Sequence, residues 1–231
     1  MRGVNDRSRT AFGLPGELVL LSHKPQGGHY SAHPDVAVAA AEVGELVLRG
    51  RATIIGTGTS GSGMRLDDAE PSGLDWLDDA LDQLRRKVRR STGAVALGSW
   101  FHSRGGVFKR YRTRMAQGGA LWAERRRVFG VEYSKYFPDS DARTALVHEL
   151  GEVARQERAA DNRLALLAAI THGTGLLREL GMDRSERRVI KSLARGERLG
   201  EAVDATVGAA RAAIVVAGAA AVAGGGDGGG G

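Results

Sequence analysis

Apolar residues recur at three- and four-residue spacing along most of the chain, which predicts a run of helices broken by a few strand-like stretches. "PGELVLLSH" reads as a short helix with Pro15 at the tolerated first position. "KPQGGHYSAHP" is a loop, and Pro34 then opens a second helix with Val36, Ala40, Val43 and Val47 on one stripe. That helix runs into Arg49-Gly50-Arg51 and the strand-like "RATII". A glycine just past a helix end and arginines at the negative end of its dipole make the triplet a joint.

"GTGTSGSG" is a loop from which "MRL" returns as a partner strand. In "PSGLDWLDDALDQLRRKVRR" the residues Leu74, Leu77, Leu81, Leu84 and Val88 share a helical face, and Ser72 with Asp75 makes a capping-box-like start. A further helix covers "GVFKRYRTRMAQ". After Gly118-Gly119, "ALWAERRRVFGVEYSKYF" alternates like a hairpin over about 120–137. The rest reads as helical: "DARTALVHELGEVARQER", the apolar "DNRLALLAAITHGTGLLREL", "DRSERRVIKSLAR" and "GEAVDATVGAARAAIVVAGAAAVA". The expected fold is mainly α, a compact helical bundle with one protruding β-hairpin, its core including Leu164, Leu167, Leu176 and Leu177. It spans 14–223, between a short arm at 1–13 and a glycine-rich tail at 224–231.

Composition narrows the chemistry. The chain has 231 residues, enough for a substantial core, and no cysteine, which excludes disulfides, thiolate zinc and cysteine catalysis. The first residues show no apolar signal segment, and Ala212 to Ala223 is too short and weakly apolar to cross a bilayer, so membrane contact is expected to be peripheral. The net charge of +6 is unevenly spread. Residues 66–84 hold seven acids and no base, whereas 85–114 hold ten bases and no acid. So basic a segment attracts phosphates of lipid or nucleic acid, unless its arginines simply meet the acidic segment on a solvated face.

Familiar motifs fail on context. Gly56-x-Gly58-x-x-Gly61 needs a helix opening at the third glycine, and here Gly63, Asp67-Asp68 and Pro71 follow. "HELGE" has Glu152 where a second zinc histidine belongs, His29 and His33 flank a loop, and His172 sits in an apolar helix. No nucleophile elbow is present. No catalysis, metal or cofactor is expected. The order of basic helix then hairpin over 104–137 matches a winged-helix DNA-binding module, with Arg110, Arg112 and Arg114 on phosphates and Arg125-Arg126-Arg127 at the wing, although no preceding short helix and tight turn is obvious.

"GELVLLSHKPQGGHYS", "GELVLRGRATI", "PSGLDWLDDAL", "GGALWAERRRVFGVEYSKYFP" and "DNRLALLAAITHGTGLL" occur in the order of similar elements in the Golgi phosphoprotein 3 family. The chain resembles that family's bacterial, actinobacterial-type members over about residues 14–223. The resemblance implies a mostly helical fold with a protruding hairpin and an adaptor rather than an enzyme. By the eukaryotic members it implies peripheral binding of phosphatidylinositol 4-phosphate, capture of the cytosolic tails of membrane enzymes, and self-association through the 120–137 hairpin. The expected place is cytoplasmic, on the inner face of a membrane. The family's headgroup tryptophan falls near Tyr30, its helix-two arginine near Ala39, and its two arginines three apart near Gly105 and Phe108. Arg104, Lys109 and Arg110 lie one or two residues away. The headgroup set implied is Tyr30, Arg104, Lys109 and Arg110 around one shallow concavity, with weakened selectivity for a mono-phosphorylated inositol.

Overall fold

The computed structural model describes residues 12–30, 34–56, 63–88, 93–129 and 131–196. Most of the expected arm, the glycine-rich loop at 57–62, the alanine-rich helix from Gly200 and the tail lie outside these residues. The described chain is mainly α. In order come α1 (Gly13–Ser22), α2 (Pro34–Leu48), β1 (Ala52–Ile55), β2 (Gly63–Leu66), α3 (Asp75–Val88), β3 (Ala94–Ala96), α4 (Leu97–Ser103) and α5 (Val107–Gln117). β4 (Leu121–Val128), β5 (Val131–Pro138), α6 (Ser140–Ala154), α7 (Asn162–Gly173), α8 (Leu176–Glu179) and α9 (Arg184–Gly196) complete it.

The core is built on α1, whose ten residues are all buried, with α2, α5, α6 and α7 around it. α7 is buried continuously from Leu164 to Thr171, as an apolar run without a polar stripe must be. The start of α1 is fixed by a charge. Glu45 of α2 accepts the Leu14 N–H at 2.8 Å, and Arg49 holds the same carboxylate at 2.7 Å. Gly13 there has φ +56°, and a Cβ on it would stand 2.7 Å from Glu45 Oε2 and from the Trp76 ring. Only glycine fits both the backbone and the space.

The joint after α2 closes as its sequence predicts. Gly50 has φ +65°, its N–H donates to Val47 O at 3.0 Å, and Arg51 N–H reaches Leu46 O at 2.8 Å. That pair of bonds is the Schellman cap. Arg51 pairs with Asp68, which ties the joint to the segment after β2.

Three expectations need correcting. The hairpin is not the whole of the β-structure, because β1, β2 and β3 form a second antiparallel sheet with β2 in the middle. β3 has three residues, too few for alternation to register. The Ser72 partner is Asp78, which accepts both the Ser72 N–H and hydroxyl at 2.7 Å, rather than Asp75. The long apolar helix breaks at Thr174-Gly175, where the Thr174 hydroxyl donates back to Ile170 O and Gly175 turns left-handed. β2 follows the glycine-rich loop antiparallel to β1, so no helix opens where a dinucleotide would need one.

Candidate functional site

α5 buries Val107, Phe108, Tyr111 and Met115 and leaves Lys109, Arg110 and Thr113 exposed. Arg110 donates to Gly105 O at 3.3 Å, and neither Lys109 nor Arg110 forms an ion pair with a described residue. Arg114 is held by Asp79 of the acidic segment. The positive N-terminal end of α5 is already occupied. The Asp35 carboxylate, from the first turn of α2, accepts Gly106 N–H at 2.9 Å and Phe108 N–H at 2.8 Å.

Arg104 is a core residue. It is 4% exposed, and its guanidinium is spent on the fully buried Glu42, with Nε to Oε2 at 2.7 Å, and on Gln83. It also lies 5.2 Å over the Trp100 ring. Burial raises the Glu42 carboxyl above the usual range and Arg104 opposes that shift. Burial, then the Glu42 charge, raises the Tyr111 hydroxyl well above its ordinary value. Nothing in the sequence distinguishes an arginine facing solvent from one facing a glutamate 62 residues earlier, so Arg104 read as surface charge.

Tyr30 stands apart from these. The loop from His23 to Tyr30 folds on itself through Gly27 N–H to Lys24 O at 2.9 Å and docks on the hairpin root by Gly28 N–H to Tyr136 O at 3.3 Å. His23 stacks on Phe108 and His29 meets the same ring edge-on, each at 5.4 Å between centroids. Arg112 covers Tyr136 at 4.3 Å, and Arg143 of α6 donates to His23 O at 2.9 Å. Packed this way, the loop presents Tyr30, with Lys24 over its ring at 5.2 Å, to a cavity of about 530 Å³. The other walls are His172, the Thr174-Gly175 break, α8 and Arg187 of α9. Arg104, Lys109 and Arg110 do not line it. The structure therefore separates the four expected headgroup residues into a buried one, an exposed pair and a cavity wall.

The hairpin is the other exposed feature. Among its described residues only the root, Leu121 and Pro138, is buried. Phe129 at the tip is fully exposed with φ +50°, and Trp122, Val131 and Tyr133 are exposed along its length. Arg126 pairs with Glu124 at 2.9 Å and Arg127 with Glu132 at 3.8 Å, while Arg125 faces solvent opposite Ser134. Among the described residues no cluster of metal-ligating side chains occurs, and His148 meets Glu152 at 3.4 Å on an open helix face.

A model of the Golgi phosphoprotein 3 (GPP34) family matches residues 14–214. The chain belongs to that family. No individual curated protein matches it. The match runs through the described helices, the second sheet and the hairpin, and continues past Gly196. Among the described residues no helix is long and apolar enough to cross a membrane.

Proposed function

We propose that this Golgi phosphoprotein 3 family member is a peripheral membrane adaptor, not an enzyme, which binds anionic phospholipid headgroups of the phosphatidylinositol 4-phosphate kind. The observation that carries the reading, beside family membership, is the pair Lys109 and Arg110, exposed and without a described carboxylate partner on α5. Arginine suits a phosphate because its planar fork donates two parallel hydrogen bonds. The hairpin next in the chain adds exposed Phe129 and Val131 to a basic ribbon, the mixture that an interfacial segment uses. Capture of enzyme tails at the cytoplasmic face and self-association through the hairpin belong to the same reading.

Co-sedimentation with vesicles tests it. Phosphatidylcholine vesicles carrying phosphatidylinositol 4-phosphate should bind the protein, as should vesicles with equal charge as phosphatidylserine, both less at high salt. Lys109→Ala with Arg110→Ala should weaken both by about a hundredfold or more, since each charge-assisted contact is worth roughly 1.5–3 kcal/mol and about 1.4 kcal/mol is tenfold. Unchanged binding to both vesicle types would make the pair a solvated face.

One observation favours the winged-helix reading as a second. α4, the turn at Arg104-Gly105-Gly106, α5 and the hairpin stand in that module's order, and the short helix before the turn was not legible in the sequence. A duplex-DNA shift assay on the same preparations separates the two. Tight, sequence-selective binding to DNA without vesicle binding decides for the module.

A further inference from the structure

The loop from His23 to Tyr30 is built as a short, tied prong. His23 and His29 pair across its base, Tyr30 N–H donates to Ser22 O at 2.9 Å, and Lys24 N–H closes the turn on Gly28 O at 2.9 Å. The base stands on the core, since α1 is buried to its last residue, the His23 ring stacks on Phe108 and Arg143 holds the His23 carbonyl. The tip leans on the hairpin. Gly28 N–H donates to Tyr136 O from outside the two-stranded ribbon, and Gly27 is buried although Pro25 and Gln26 before it are exposed. A Cβ on Gly27 would stand 2.6 Å from Lys135 Cε and 2.9 Å from both Lys135 Cγ and Phe137 Cε1, so prong and hairpin meet without a gap. Phe137 in turn stacks on the exposed Trp122 at 4.3 Å, which carries the contact across to β4. A two-stranded ribbon is marginal by itself, and one held at its root alone is free to pivot there.

We propose that the 23–30 prong is a latch that fixes the angle of the hairpin against the body, with Gly27 seated on Lys135 and Phe137 as its catch. Seated, the tip blocks the ribbon from swinging toward the loop. Withdrawn, it leaves the β4–β5 ladder whole and the root free to turn. The catch is one backbone bond and a set of close van der Waals contacts, so the latched and free poses differ by few interactions, as the two states of a hinged element do. Control over the aim of the exposed Trp122, Phe129, Val131 and Tyr133 thus lies in the loop after α1 and not in the hairpin itself. The latch depends on neither the lipid nor the DNA reading.

The chain has no cysteine, so labels go only where cysteines are introduced. Spin labels on Phe129→Cys at the hairpin tip and Thr144→Cys on the exposed side of α6 read the hairpin pose in the full chain, as a distance distribution from double electron–electron resonance. The labelled parent should give one narrow peak. Gly27→Ala in that background should lose it to a broad distribution, because the new methyl group cannot share the seat with the Phe137 ring. Gly28→Ala is the control. Gly28 has φ +83° beside +85° at Gly27, so the two alanines strain the backbone alike, but a Cβ on Gly28 meets nothing within 4 Å. It should keep the narrow peak. Thermal midpoints check that each variant folds. Where Gly27→Ala does not, Phe137→Ala opens the same seat from the hairpin side with both glycines in place, and it too should lose the narrow peak. The proposal is overturned by a broad distribution in the parent, by a narrow peak that survives in the folded Gly27→Ala or Phe137→Ala variant, or by equal broadening in Gly28→Ala.

Discussion

Arg104 shows how one charge changes meaning with depth. At 4% exposure its guanidinium answers a carboxylate that water cannot reach. Removing one member of such a pair leaves the other uncompensated, which costs about 3–5 kcal/mol, whereas replacing both with apolar groups is often neutral. Arg104→Leu should therefore lower stability in urea by that amount, and Glu42→Leu combined with Arg104→Leu should recover most of it. Equal losses in the single and double variants would mean that packing, not charge, governs the site. The sequence carried Arg104 as one of ten bases in a basic segment, and nothing local marked it as the inward one. Spacing does not show which residues Tyr30 faces, because its wall is completed by residues about 140 positions later.

Among the elements, those with strong periodicity were legible. α3 buries Leu77, Leu81 and Leu84 on the face that spacing predicts, and β4 with β5 forms the hairpin that alternation predicts. α4 was not, because seven residues make barely two turns and Gly98 interrupts them. Most of the connection between α2 and α5 was also invisible. It rests on Asp35, which caps α5 from another helix across 71 and 73 residues of chain. Asp35→Ala should cost about 0.5–2 kcal/mol as a lost cap, measured by thermal or urea unfolding. Asp35→Asn keeps an acceptor and should cost less than alanine does. If the two variants are equally stable to wild type, the carboxylate contributes nothing to the tie. Removing its charge also frees an N-terminal dipole next to Lys109 and Arg110, so either variant should bind anionic vesicles somewhat more tightly than wild type.

The molecule as a whole has a built-in acid sensitivity. His23, 1% exposed, donates Nδ1–H to Val19 O at 2.8 Å, and burial, opposed by that bond, lowers its pKa to about 4. Arg112 and Arg143 face it from α5 and α6, His29 from its own loop, and all three disfavour a second positive charge. In the unfolded chain a histidine takes up its proton near pH 6.5, so between about 6.5 and 4 the unfolded state binds more protons than the folded one. Stability from this residue is complete above pH 6.5 and declines on acidification, by up to about 3 kcal/mol at pH 4. The thermal midpoint of wild type should fall more steeply over that window than that of His23→Gln. Parallel curves would place the sensitivity elsewhere. The overall class, mainly α with a hairpin, followed from periodicity because helix faces are local, whereas the three-stranded sheet needs β3, which is too short for alternation to register. The cavity did not, because it depends on a helix break at Thr174-Gly175 meeting a loop from the other end of the chain.

Strands of eight residues, rising about 3.3 Å each, carry the hairpin tip roughly 25 Å from its root. Charges exposed to 0.1 M salt sense one another over only about 10 Å. If the hairpin stood upright with Phe129 in a flat anionic surface, Lys109 and Arg110, on the helix leading into its root, would hang beyond the range of that surface's field. Both can touch one plane only if the ribbon reclines along it. The reach of the hairpin thus sets posture: a reclining one places tip and helix on the same surface, and an upright one makes the hairpin a stand-off that holds the body clear.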